Sequence, residues 1–344
     1  TAQYTYSFSK WTQNSANGTQ INSTGFNTTG ETTIYANFGR TLNTYNVNIV
    51  VSPSEYGSVN VETIENVPYG STVKVGTSAN LLSVNGTVVT ATATSKTGYT
   101  RTFSKWAKNS ASGTQVTTTG FTTAGEETVY AIFSQSANTY TIAYDYAGGT
   151  KGSNAPANGT YDNGITISNP TRTGYTFTGW TASGLSTSTA KYGTSNSAIN
   201  SAWSDEETKV TAIYFKNLRT TSGTVTLTAN WSAVSYQIAF AGGGATGGST
   251  ADQTLTYDVA TALTANGFTR AYKVTFNANG GTCGTSSITA NYLFAGWKSS
   301  VAAGTYGSTS SACTTAVTTS AIIGNKYYVK NLAVNGTVTF TAQW

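Results

Sequence analysis

Four times along this chain a run of aromatic and small residues closes on a tryptophan: YTYSFSKW at Trp11, YTRTFSKW at Trp106, GYTFTGW at Trp180 and NYLFAGW at Trp297. Each is answered downstream by a closing run of β character, TTIYANF, ETVYAIF, TVTLTANW and TVTFTAQW. A self-similar period means that one small supersecondary unit is used again and again, and that its hydrophobic face is buried by its own and neighbouring copies. The chain therefore reads as a tandem array before any single residue is weighed.

The units are β units. TYTIAYDYAGG (139–149), YQIAFAGGG (236–244) and GTVTFTAQW (336–344) alternate apolar and polar residues with period two, which half-buries one face of a sheet. Glycine pairs and Asn-Gly steps end these runs as turns. No stretch holds a 3.6-residue apolar period over three turns, so the fold class is mainly β. Charged residues make up only 9% of the chain, against about 25% in typical soluble domains, while Tyr, Thr and Val are too abundant for a disordered chain. The 18 Lys and Arg and 13 Asp and Glu are scattered; no basic stripe exists to track a phosphate backbone, which argues against nucleic acid as a partner. No apolar stretch approaches the ~20 residues of a membrane span. The chain opens on Thr1 and contains no Met, which reads as a processed or excised segment.

Four modules follow from aligning the repeats: a partial one at 1–38 that lacks its first strand, then 45–133, 140–231 and 236–344. Modules one and two are nearly identical over their shared part, with 27 positions from Trp11 to Phe38 and from Trp106 to Phe133. Modules three and four carry a longer Ser/Thr/Ala-rich insert after the tryptophan, then share YFKNL and YYVKNL before the last strand. Such inserts are where modules differ at their surfaces. The linkers GRTLNT, SQSANT and SAVS are too short for free tumbling, so an extended rod is expected. Recurrence at one module position assigns Trp11, Trp106, Trp180 and Trp297 to module cores. Trp203 sits in an insert instead, and with Tyr192 it is the candidate ligand contact, as for stacking on a host or matrix glycan.

Chemistry is constrained by what is missing. Histidine is absent, which removes the commonest general base and metal ligand. The spacing GGGATG (242–247) fits a dinucleotide fingerprint, but a strand entry follows where a helix would have to begin, so it reads as a glycine turn. Asp205, Glu206 and Glu207 form the densest acidic cluster and read as a solvated turn before the last strand rather than as a calcium site. No catalytic residue, cofactor site or metal site is expected, and the chain reads as a non-enzyme. Cys283 and Cys313 both fall in module four; in an exported protein they read as a disulfide closing a loop of about 31 residues, the alternative being two free thiols.

The stretch YTIAYDYAGGTKGSNAPANGTYDNGITISNPTRTGYTFTGW (140–180), closed by TVTLTANW, resembles the Listeria–Bacteroides repeat, also called the internalin B-repeat. The resemblance rests on a first strand ending in Gly-Gly, the TYD entry, the Pro-Thr-Arg-Thr-Gly-Tyr run, Gly-Trp and TANW. In module four it covers YQIAFAGGGATGG, LTYD, FAGW and TFTAQW, while modules one and two have FSKW and end on Phe. It implies a small β-grasp-like module used in tandem on bacterial surface proteins, hence an extracellular or cell-surface location, and no catalytic residues.

One count does not balance. Module one has a closing strand but no opening strand, whereas module four has two opening-strand runs, YQIAFAGG at Tyr236 and YKVTFNANGG at Tyr272. An unpaired edge is a template for another chain. Completion of module one by a neighbouring subunit would give head-to-tail fibres; the competing readings are an opening strand upstream of residue 1, and an internal hairpin at Tyr272. The expected function is that of an extracellular structural rod, as fibre subunit, stalk or adhesin, partnered by its own copies or by neighbouring repeats of a longer chain. The alternatives are a carbohydrate-binding array and an accessory region of a larger secreted enzyme.

Overall fold

The structure, a computed structural model, describes residues 2–344. Its internal contacts divide the chain into two units, Thr1–Asn138 and Thr139–Trp344. Among the described residues the regular structure is short strands and a single 3-10 turn, Ser54–Tyr56, as the period-two patterning requires.

The first unit holds modules one and two. Module two contains a four-stranded mixed sheet in the order tryptophan strand (Tyr99–Lys108), closing strand (Glu127–Ala137), opening strand (Thr44–Ser52) and second strand (Thr63–Pro68). The closing strand runs antiparallel to the tryptophan strand and parallel to the opening strand. A parallel pair needs a long crossover, and here the crossover forms a second, antiparallel sheet built chiefly from Thr72–Val75, Leu81–Val84 and Thr87–Ala93. Val47, Ile49, Leu82, Val89, Trp106 and Val129 belong to one buried cluster drawn from both sheets.

The second unit repeats this plan twice. Module three orders its sheet as second strand (Asn158–Thr160), opening strand (Thr139–Asp145), closing strand (Thr224–Ala233) and tryptophan strand (Tyr175–Ser183); module four uses Gln253–Thr256, Ser235–Ala241, Thr337–Gln343 and Gly296–Ser299 in the same order. In both, the opening and closing strands are parallel. The closing strands bury every other residue, Val225, Leu227 and Ala229 in one and Val338, Phe340 and Ala342 in the other. The inserts read as variable surface are instead the second layer. Lys191–Gly193, Ser201–Ala202 and Tyr214–Lys216 form most of it in module three, and Thr305–Gly307, Thr315–Ala316 and Tyr328–Lys330 in module four. The mixed sheet is thus faced by a second sheet rather than by a helix, among the described residues.

The Phe-x-x-Trp motif has a local cause. Residues three apart in a regular strand point to opposite faces, yet Phe and Trp share a face in each module, with ring centroids 5.3 Å apart for Phe103 and Trp106 and also for Phe177 and Trp180. A β-bulge reconciles the two: the register slips between Phe103 and Lys105, and between Phe177 and Gly179, so three steps on the tryptophan strand oppose two on the closing strand. Gly179 occupies φ +130°, where a Cβ would meet the Val210 backbone at 3.0 Å.

Each closing strand passes into the next opening strand after one residue, Asn43, Asn138 or Val234. That residue is pinned. Its N–H donates to Gln3, Gly98 or Gly174 of the preceding module, and the carbonyls of Asn43 and Val234 accept from Tyr69 and Tyr257 of the following one. The closing strands run past the ends read at 38 and 133, to Leu42 and Ala137. Between modules three and four the Tyr175 hydroxyl also donates to Asp258 Oδ2 at 2.6 Å. This bond, followed by one from Asn331, holds the Asp258 carboxyl below its ordinary range, and the same bond raises the Tyr175 hydroxyl.

Candidate functional site

Module one departs from the plan. Its tryptophan strand (Tyr4–Gln13) pairs with its closing strand (Ile34–Leu42) through the same register as in module two, bulge included. A two-residue strand, Gln20–Ile21, completes a three-stranded sheet on the tryptophan-strand side. The other edge, where modules two, three and four place a parallel opening strand, pairs with nothing among the described residues. The outer backbone groups of Ile34–Leu42 are therefore free to extend the ladder.

The side chains around this edge are set as they are in a complete module. Phe8 lies 5.4 Å from Trp11 and 5.9 Å from Phe38, against 5.3 Å and 5.6 Å for Phe103 with Trp106 and Phe133, at matching ring angles. Only their cover differs. Phe8, Trp11, Ile34 and Phe38 are 48 to 61% exposed, while Trp106, Trp180 and Trp297 are at most 1% exposed. Trp11, expected in a core, is corrected to a surface residue. The reason is non-local: Trp106 is covered by its opening strand and second sheet, and among the described residues neither has a counterpart beside Trp11. A contiguous exposed apolar patch on an open sheet edge marks an interaction surface.

The remaining candidates fall elsewhere. Trp203 is buried in the module three core, its ring 5.6 Å from Phe215 and its Nε1–H bonded to the Thr208 carbonyl at 3.2 Å. It cannot stack on a ligand, which overturns that assignment; it anchors the second sheet. Tyr192 is half-buried and lines a shallow groove of about 430 Å³ with Lys209 and Ser201. Cys283 and Cys313 form no disulfide. Cys283 is exposed, in the loop between Ala271–Thr275 and Ser287–Asn291, whereas Cys313 is buried with its thiol against the carbonyls of Thr305 and Tyr328. The disulfide reading failed because Cys313, in the turn between Thr305–Gly307 and Thr315–Ala316, turns its thiol inward against the second sheet, while Cys283 is exposed in the loop of a separate hairpin. Asp205 caps its own turn through the Glu207 N–H, and Glu206 accepts from the Leu185 N–H. Among the described residues no group of three or more Cys, Asp and Glu could hold a metal ion, and no helix is long and apolar enough to cross a membrane.

Sequence reasoning missed one recurrent site, although its residues stood in plain repeats. The TYD and KNL motifs meet: the Asp162 and Asp258 N–H groups each donate to an Asn side chain, Asn217 and Asn331, at 2.6 Å, and Lys216 and Lys330 lie 3.5 and 4.0 Å from the same carboxylates. All four Asp and Asn residues adopt positive φ, so the clamp fixes two left-handed turns that join the second sheet to the first. Its role is structural.

The run at Tyr272 is an internal hairpin. Among the described residues Ala271–Thr275 pairs only with Ser287–Asn291, while the module four sheet takes Ser235–Ala241 as its opening strand. The imbalance counted in sequence is thereby located: a surplus opening-strand run on module four, and an open edge on module one.

The family model of the Listeria-Bacteroides repeat domain matches residues 57–132 and 140–202. The chain carries Listeria-Bacteroides repeats. The first match covers module two from just past its opening strand to its closing strand, and the second covers module three from its opening strand through Trp180 to Ala202. No curated protein and no solved structure matches the chain.

Proposed function

We propose that this array of Listeria-Bacteroides repeats is a non-enzymatic structural protein of the bacterial exterior, a rod of β-grasp-like modules that serves as fibre subunit, stalk or adhesin. The repeat is typical of bacterial surface proteins, and the one-residue connections Asn43 and Val234, hydrogen-bonded on both sides, make stiff joints of the kind a rod needs. The observation that carries the reading further is the open edge of module one, whose aromatic trio is already in the geometry of a completed module. A preorganised acceptor loses little on strand addition, and strand addition between identical copies runs head to tail.

Light scattering at rising concentration, with electron microscopy of the same samples, tests this. Linear particles that lengthen with concentration are expected. A strictly monomeric chain removes the polymerising function and leaves the stalk or adhesin.

A further inference from the structure

Module four carries the piece that module one lacks. The ribbon Ala271–Thr275 with Ser287–Asn291 pairs with no further strand among the described residues. Its sequence AYKVTFNANGG repeats the opening-strand pattern of YTIAYDYAGG and YQIAFAGGG: a tyrosine, a branched aliphatic two residues on, an aromatic four residues on, then a glycine turn. It repeats the pairing as well. The opening tyrosine lies opposite a residue 19 positions later in modules three and four, Tyr140 with Gly159 and Tyr236 with Leu255, and 18 positions later in the ribbon, Tyr272 with Ala290. The ribbon is thus an opening strand plus a second strand. Tyr4–Leu42 is the complementary half, a tryptophan strand plus a closing strand.

We propose that the ribbon of one copy docks onto module one of a second copy, Lys273–Phe276 running parallel to Glu31–Ile34 where the closing strand begins, so that two half-modules complete one four-stranded sheet. This rests on the head-to-tail reading above and names its donor. The register follows from the complete modules. There, the residue four after the opening tyrosine faces the residue two before the alanine opposite the tryptophan: Ile49 faces Val129, Tyr144 faces Leu227 and Phe240 faces Phe340. In module one that alanine is Ala36, so Phe276 faces Ile34, Val274 faces Thr32 and Lys273 faces Glu31.

Two features of the surfaces fit this occupant. Lys273 opposite Glu31 is a favourable cross-strand charge pair. Tyr272, Phe276 and Ile288 on the ribbon are 43 to 48% exposed, and Phe276 takes the place over Trp11 that Phe240 holds over Trp297 at 4.7 Å. With Phe8, Trp11, Ile34 and Phe38 they offer on the order of 600 Å² of apolar surface, about half of the ~1,200 Å² of a specific interface before the backbone ladder is added. The ribbon brings no second sheet, so docking shields Trp11 from the strand side only.

The test uses the full chain in sedimentation velocity. Ile34→Asp spoils the acceptor edge and Phe276→Asp spoils the donor face. The wild-type chain is expected to form oligomers that grow with concentration, and each variant alone to stay monomeric. Their equimolar mixture should give dimers and nothing larger, because one sound donor and one sound acceptor remain between them. Lys273→Glu and Glu31→Lys, which leave the apolar packing intact, should each weaken association about two- to fivefold, and their combination in one chain should restore it. A wild-type chain that stays monomeric overturns the head-to-tail reading and the donor together. Assembly that Ile34→Asp abolishes while Phe276→Asp and Lys273→Glu leave it untouched overturns the donor alone: another strand, such as one upstream of residue 1, then holds the edge.

Discussion

Replacing the tryptophan of the shared FSKW motif by alanine should have very different costs in modules one and two. Trp106 is 1% exposed and packs in the module two cluster. Its side chain withdraws up to about 250 Å² from water, worth about 6 kcal/mol at ~25 cal/mol per Å² as an upper bound; Trp→Ala changes in cores cost about 3 to 5 kcal/mol. Trp11 is 48% exposed, so roughly half of that area is already in water and no closed cavity is left behind. Its loss should be about 1 to 2 kcal/mol. Modules of an array need not unfold together, so the measurement must be local: native-state amide exchange of Ile34–Leu42 and of Glu127–Ala137, at dilution. Trp106→Ala should speed exchange of Glu127–Ala137 by about two to three and a half decades, and Trp11→Ala should speed that of Ile34–Leu42 by about one decade, at ~1.4 kcal/mol per decade. Equal effects would refute the reasoning, since they would mean that Trp11 is covered.

Three further outcomes are expected. Gly179→Ala places a Cβ at φ +130° and 3.0 Å from the Val210 backbone, and should cost module three about 1 to 3 kcal/mol by local exchange, against under about 1 kcal/mol for Gly284→Ala, whose backbone is not left-handed and whose Cβ would meet nothing. A thiol reagent should titrate one thiol, Cys283, in the native chain and two in denaturant, with reductant leaving stability unchanged; no free thiol in denaturant would restore the disulfide. The Asp258 carboxyl has a lowered folded-state pKa, so its contribution to the joint with Tyr175 is complete above the ordinary carboxylate value near 4 and is lost as pH falls below it. The exchange protection of Tyr257 and Asp258 should therefore fall on acidification below about pH 4 in the wild-type chain and much less in Tyr175→Phe.

The repeat and the β class were legible because they are carried by local patterns: alternating strands, glycine turns and a tryptophan at a fixed place. What was not legible is non-local. Trp11 and Trp106 share the same FSKW motif, and only the strands and sheet beside them decide which is buried. The second sheets were read as surface inserts because their strands span two or three residues, too short for alternation to show, and because their apolar anchors, Trp203, Phe215 and Leu218, are spread through Ser/Thr-rich sequence. The bulge in Phe-x-x-Trp is invisible to a period-two reading, which puts Phe and Trp on opposite faces. Cysteine spacing carries no distance, so the burial of Cys313 against the second sheet could not be foreseen.

The account stands or falls on strand addition between copies at a stated register. The direct measurement is a cross-link in the full chain with Cys283→Ala and Cys313→Ala, carrying Ile34→Cys and Phe276→Cys, oxidised and run without reductant. The predicted result is a ladder of disulfide-linked multimers that collapses to monomer on reduction and is lost when Ile34→Cys is moved one position, to Tyr35→Cys on the opposite face. Monomer alone, or a ladder indifferent to that shift, would contradict it.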